Sequence, residues 1–116
     1  MNWLLISVLI GQAIIIDGDT LRIDNQSIRI WGLDAPEINT QRGIRAREAM
    51  QRLVSGKEVI CEPDGTVSFN RVVAKCFVDG EDIASIMIER GLAKPYCKFS
   101  GDYYNDAANK RLVQQC

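Results

Sequence analysis

Along the first third of the chain apolar and polar residues alternate in short runs, the two-residue period of a strand with one buried face. Ala13 to Ile16, Thr20 to Ile23 and Ser27 to Trp31 are rich in β-branched side chains, and Asp17-Gly18 and Asp24-Asn25 separate them, so three strands joined by tight turns are predicted. The period then changes. Between Arg45 and Val54 the apolar residues Ala46, Ala49, Met50 and Leu53 recur at helical spacing, and Gly56 stands where a C-terminal cap belongs. Glu58 to Glu62 and Arg71 to Val78 are two further strands around a loop at Pro63 to Asn70, with a turn at Asp79-Gly80. Ile83, Ile86 and Met87 mark a second short helix ending at Gly91, and Tyr104, Ala107, Ala108 and Leu112 a third. Three strands, helix, two strands, helix predicts an α+β, mainly β fold: an OB-type five-stranded β-barrel with three helices, chosen among several α+β alternatives.

Composition narrows this to one unit. A chain of 116 residues, 47% hydrophobic, can bury one core but not two. Residues 1–9 are expected to be an apolar lead and residues 10–116 a single domain. The run from Met1 to Ile10 has no basic n-region and is too short to span a bilayer. It is either the remnant of a trimmed export signal or a lead into the first strand, and no membrane contact is expected of the mature protein. A net charge of −1 excludes binding to nucleic acid through bulk positive charge. Such a substrate would be held by a few placed cations. Histidine is absent, which removes the commonest general base, the usual zinc ligand and every imidazole triad. Catalysis must then run on carboxylates, arginines, thiols or a hard metal ion.

Cys61, Cys76, Cys97 and Cys116 form an even set without a C-x-x-C pair, so neither a zinc knuckle nor a thioredoxin-like motif is present. Cys61 and Cys76 flank the candidate hairpin and face each other if its register is symmetric about Ser68 and Phe69. Cys97 and Cys116 would then staple the C-terminal segment. Two disulfides imply a secreted or periplasmic protein; four buried free thiols would imply a cytoplasmic one.

The chemistry gathers at two strand ends. Asp17 and Asp19 lie in the turn before the second strand, and Asp34 and Glu37 follow the third. In a meander these ends are neighbours, and carboxylates crowded together repel unless a hard cation such as Ca2+ compensates them. Asp19 and Asp34 are the candidate ligands, whereas Asp17 fits a turn-forming role better. Pro36 holds Ala35 extended and aims Glu37, which could take a proton from an attacking water. Arg29 alternates with Ile28 and Ile30 and so faces away from them, and Arg71 opens a later strand. Two arginines converging on an acidic cluster would clamp a phosphate.

Ile16-Asp17-Gly18-Asp19-Thr20-Leu21, Arg29-Ile30-Trp31-Gly32-Leu33-Asp34-Ala35-Pro36-Glu37, Arg71-Val72-Val73-Ala74 and Arg90-Gly91-Leu92-Ala93 together resemble the thermonuclease (staphylococcal nuclease-like) family, over about Ile10 to Lys94. The resemblance implies an OB-type barrel with three helices that hydrolyses DNA and RNA. It implies Ca2+ on Asp19, Asp34 and the Ala35 carbonyl, water activation by Glu37, and a phosphate clamp of Arg29 and Arg71. Tyr96 stands one residue before the slot of a base-stacking aromatic, which Cys97 occupies, and is the substrate-binding candidate. Val67-Ser68-Phe69-Asn70-Arg71 departs from the family's D-x-Y-G-R, so a terminal-phosphate contact is altered at Ser68 and Phe69. The expected function is a Ca2+-dependent, sequence-tolerant endonuclease of DNA and/or RNA, acting as a monomer. Its alternative is a catalytically weak or inactive OB-fold module that binds nucleic acid or protein, as nuclease-like domains in Tudor-containing proteins do. The joint presence of Asp19, Arg29, Asp34, Glu37 and Arg71 favours the enzyme.

Overall fold

A computed structural model describes residues 8–111 and 113–116. The first seven residues of the apolar lead, and Leu112 of the expected third helix, lie outside the described residues. The order is β1 (Leu9–Gly11), β2 (Ala13–Asp17), β3 (Thr20–Ile23), β4 (Gln26–Ile30), β5 (Leu33–Asp34), α1 (Gln41–Val54), β6 (Val59–Ser68), β7 (Arg71–Val78), β8 (Glu81–Asp82), α2 (Ile83–Glu89), β9 (Lys94–Pro95), α3 (Cys97–Ser100) and α4 (Asn105–Asn109). The fold is mixed but mainly β. Its main sheet runs β1-β6-β7-β4-β3-β2 with β8 paired to β7, and β5 pairs with β9 apart from it. The β4–β7 pairing is parallel; the others are antiparallel.

Alternation along the strands does what the pattern requires. Leu21, Ile23, Ile28 and Ile30 are fully buried and meet Met50 of α1 and Ile83, Met87 and Ile88 of α2 in one core. Each such side chain contributes roughly 1.5–3 kcal/mol by leaving water. Helix α1 buries Ala46, Ala49, Met50 and Val54, one face of a 3.6-residue period. It begins at Gln41 rather than Arg45, because the Thr40 hydroxyl accepts the Gly43 amide at 3.0 Å and caps a turn that Gly43 alone would weaken. Asp82 caps α2 in the same way, accepting from Ala84 and Ser85.

Three expectations are corrected. More strand segments are present than five, since short pieces such as β5, β8 and β9 are too brief to show a period. Four helices stand among the described residues instead of three: α4 carries Tyr104 at its cap with Ala107 and Ala108 buried, and α3 precedes it as a four-residue turn. The segment from Pro63 to Asn70 is not a loop. β6 continues to Ser68, slips its register between Pro63 and Val67, and turns at Phe69-Asn70, both in the left-handed region at φ 51° and 64°. That slip sets the disulfide. Ser68 pairs with Arg71, but beyond the irregularity Cys61 pairs with Cys76, and the two are bonded; Cys97 and Cys116 form the second bond.

Candidate active site

Strand order brings distant residues to one place. Asp19 sits in the β2–β3 turn, whose Gly18 is pressed so close to Ala35 and Ala46 that a Cβ there would stand 2.7 Å and 2.9 Å from theirs. Only glycine lets the turn lie against the segment carrying Ala35 and against α1. Thr20 pairs with Arg29 across β3 and β4, and Arg29 pairs with Val73 across the parallel β4–β7 contact. Arg71 lies two residues before Val73, hence on the same face as Arg29. Ile28 and Ile30 point into the core, as the alternation predicted.

Asp19, Arg29, Asp34, Ala35, Glu37, Arg71 and Tyr96 all line one cavity of about 380 Å³. Every residue singled out from the sequence for a role in the site is therefore at the same cleft. Arg29 Nη1 stands 3.2 Å from Asp19 Oδ2, which also accepts the Ala35 amide at 3.0 Å. Asp17 serves as the turn former, its Oδ1 accepting the Asp19 amide at 3.1 Å, and it lines the cavity as well. The Arg71 guanidinium donates through Nη1 to Thr20 Oγ1 at 3.3 Å and through Nε to the Ser68 carbonyl at 3.2 Å. Thr20 in turn donates to Asp19 Oδ1 at 3.2 Å. This nearly buried hydroxyl links the two arginines through Asp19, and the sequence reading missed it. Its signal was the threonine directly after the Asp17-Gly18-Asp19 turn.

Tyr96 is tied to the site by its backbone, its amide donating to the Gly32 carbonyl at 2.8 Å, and its ring centroid lies 5.5 Å from the Arg29 guanidinium carbon. Ser68 and Phe69, the positions of the altered terminal-phosphate contact, also line the cavity, with Phe69 88% exposed at the hairpin tip, and Phe99, which was not foreseen, lines it too. Asp34 lies at the edge, with one oxygen 3.8 Å from Lys94 Nζ. Glu37 is exposed, but its main chain is clamped: Thr40 donates to the Glu37 carbonyl from its amide at 3.1 Å and from its hydroxyl at 2.7 Å.

Four carboxylates and two guanidinium groups share the cleft, and the titration of Asp19 is displaced. Burial, followed by the hydrogen bond that its protonated form donates to the neighbouring Asp17, pushes its carboxyl up to about 6, against the opposing pull of Arg29 and the Ala35 amide. The donor set is oxygen only, as a hard cation requires, and a buried carboxylate with a raised pKa is the electrostatic state such a cation would relieve. Among the described residues no three acidic side chains converge into a ready-made cage. Backbone and water oxygens would have to complete the shell, as they commonly do for Ca2+.

A staphylococcal nuclease homologue family profile matches residues 27–115. The chain belongs to that family. Among curated relatives, the succinoglycan biosynthesis protein ExoI of Rhizobium meliloti (strain 1021) is 32% identical over 73% of this chain and 51% of its own length. Protein ParB of Escherichia coli is 30% identical over 75% of this chain and 56% of its own. The probable staphylococcal-like nuclease CAN1 of Oryza sativa subsp. japonica is 28% identical over 71% of this chain and 25% of its own. The chain thus spans about half the length of the first two relatives and a quarter of the third. Within the staphylococcal nuclease homologue family, the matched residues include Arg29, Asp34, Glu37, Arg71 and Tyr96, while Asp19 lies before the match.

Proposed function

We propose that the chain is a Ca2+-dependent nuclease that hydrolyses phosphodiester bonds of DNA and/or RNA with little sequence preference. The observation that carries this reading is the single cleft shared by Asp19, Asp34, Glu37, Arg29 and Arg71. Family membership and the nuclease named among the relatives support it.

The scissile phosphate enters between Arg29 and Arg71, whose forked donors match its nonbridging oxygens and stabilise the charge that grows there. Glu37 takes a proton from water as the water oxygen bonds to phosphorus. The ester bond opposite breaks, and the leaving oxygen takes a proton from solvent. Asp19, Asp34 and the Ala35 carbonyl would hold Ca2+, which when bound supplies positive charge to the phosphate and acidifies water. Tyr96 offers a face on which a base can stack. A cleft whose two placed arginines address phosphate oxygens fits low sequence preference, because phosphate contacts carry no base identity.

An OB-type barrel is part of the same proposal. Its support is that β1 and β2, the two ends of the main sheet path, are separated in the chain by Gln12 alone. The two disulfides support a secreted or periplasmic setting. No helix among the described residues is long and apolar enough to cross a membrane.

A second reading, a module that binds nucleic acid without cutting it, draws on one observation: Asp19 Oδ2 is already engaged by Arg29 and the Ala35 amide. Glu37→Gln separates the two. The enzyme reading predicts a fall in kcat of about 10²–10⁴-fold with oligonucleotide Kd nearly unchanged. Equal, background-level turnover by wild type and variant, with tight binding by both, would establish the module.

A further inference from the structure

Beyond the Asp34–Pro36 segment lies a second cavity, about 660 Å³, which the proposed reaction does not use. Three cations from separate elements reach it: Arg42 from the first turn of α1, Lys94 from β9 and Arg111 from the segment after α4. Among the described residues its only acidic lining group is Asp34, 3.8 Å from Lys94 Nζ, and neither Arg42 nor Arg111 forms an ion pair. In a chain of net charge −1 this grouping is a local concentration of positive charge.

Arg111 is placed rather than loose. Its amide donates to the Ala108 carbonyl at 3.3 Å and the Val113 amide to the same oxygen at 2.9 Å. A Cβ at Gly91 would stand 3.7 Å from Arg111 Cβ, so the arginine stem lies along that glycine. The Cys97–Cys116 bond fastens the end of this segment next to β9. Two guanidinium groups and an ammonium gathered around open space repel one another, and an anion with several oxygens relieves that repulsion while using their free donors. The wall formed by Asp34, Ala35 and Pro36 also lines the first cavity, so a strand leaving the cleft over Pro36 enters the second.

We infer that this cavity is a second phosphate subsite, which takes a backbone phosphate flanking the scissile one in a polynucleotide strand. The identity of the polymer rests on the proposed function; the test reads binding and stands without catalysis. A fluorescein-labelled oligodeoxythymidylate is titrated by anisotropy in calcium-free buffer over a salt series, using wild type and Arg42→Gln/Arg111→Gln. The expected result is a Kd raised about three- to tenfold for each arginine that grips phosphate in the wild type. The slope of log Kd against log salt should shrink by about 0.7 for each phosphate left without its arginine. A dinucleotide competitor, whose single internucleotide phosphate leaves none for a second subsite, should bind both proteins alike. Arg45→Gln/Arg47→Gln removes the same charge from exposed positions of α1 that do not line the cavity and should have the smaller effect. Equal weakening in the two double variants, an equal weakening for the dinucleotide, or an unchanged oligonucleotide Kd and salt slope would each overturn the inference. So would inorganic phosphate competing as strongly as the oligonucleotide, since the cavity would then serve free anions. Absence of cleavage by wild type would sink the proposed function and leave these binding outcomes readable.

Discussion

Asp19 is the residue on which the electrostatics of the cleft turn. Its carboxyl is pushed from 3.8 up to about 6, with burial the leading cause. The folded protein therefore holds a proton that the unfolded chain has already released, and stability falls as pH rises through the interval between these values. Asp19→Asn removes this cost while keeping an oxygen for the Ala35 amide. In chelator, at pH 7, the variant should be more stable by up to about 3 kcal/mol, and its Tm should vary less with pH between about 4 and 6. Parallel Tm profiles for the two proteins would show that Asp19 titrates normally. The site residues were legible because each is chemically conspicuous: clustered acids at strand ends, an arginine alternating with isoleucines, a proline that aims its neighbours. Thr20 was not. Its role depends on Arg71 arriving through the parallel β4–β7 pairing, a contact between residues 51 positions apart that no local pattern encodes.

At the scale of elements, the first turn of α1 positions Glu37. Thr40 grips the Glu37 carbonyl, and Gly43 is packed directly against that carbonyl and the Pro36 oxygen. Alanine within a helix usually stabilises relative to glycine by roughly 0.5–1 kcal/mol. Here its methyl would collide with the Glu37 main chain, so Gly43→Ala should lower kcat at least about tenfold, since small displacements of a positioned group cost that much or more. Oligonucleotide Kd should change little, because Arg29 and Arg71 stand on other elements. Unaltered kcat with raised stability would show that the clamp does not matter. The helix was read from its buried face and so began at Arg45; the true start is written in Thr40, a cap rather than a period. The same limit explains Pro63 to Asn70. Proline, aspartate and glycine in sequence look like a loop, yet the strand accommodates them as a register slip and reserves the turn for Phe69-Asn70.

For the whole molecule, the order of the main strands and helices followed from the sequence, whereas the extra helix and the short strand pieces did not. The sequence offered the two cysteine pairs as candidates, and Cys61 meets Cys76 through the register slip rather than through a hairpin centred on Ser68 and Phe69. The Cys97–Cys116 bond closes the segment that carries α3, α4 and Arg111. Replacing both cysteines by serine should cost about 3 kcal/mol by releasing a loop of this size in the unfolded chain. Denaturant unfolding measures that cost, and a midpoint equal to wild type would mean that α4 and its buried Tyr104, Ala107 and Ala108 hold the segment unaided. The central claim is that acids and arginines drawn from four separate parts of the chain act together on one phosphorus atom with a hard cation. It is tested most directly by following cleavage of single-stranded DNA and RNA by the intact protein in calcium and in excess EDTA. Product in calcium and none in EDTA is the predicted result. Equal product in both, or none in either, would contradict it.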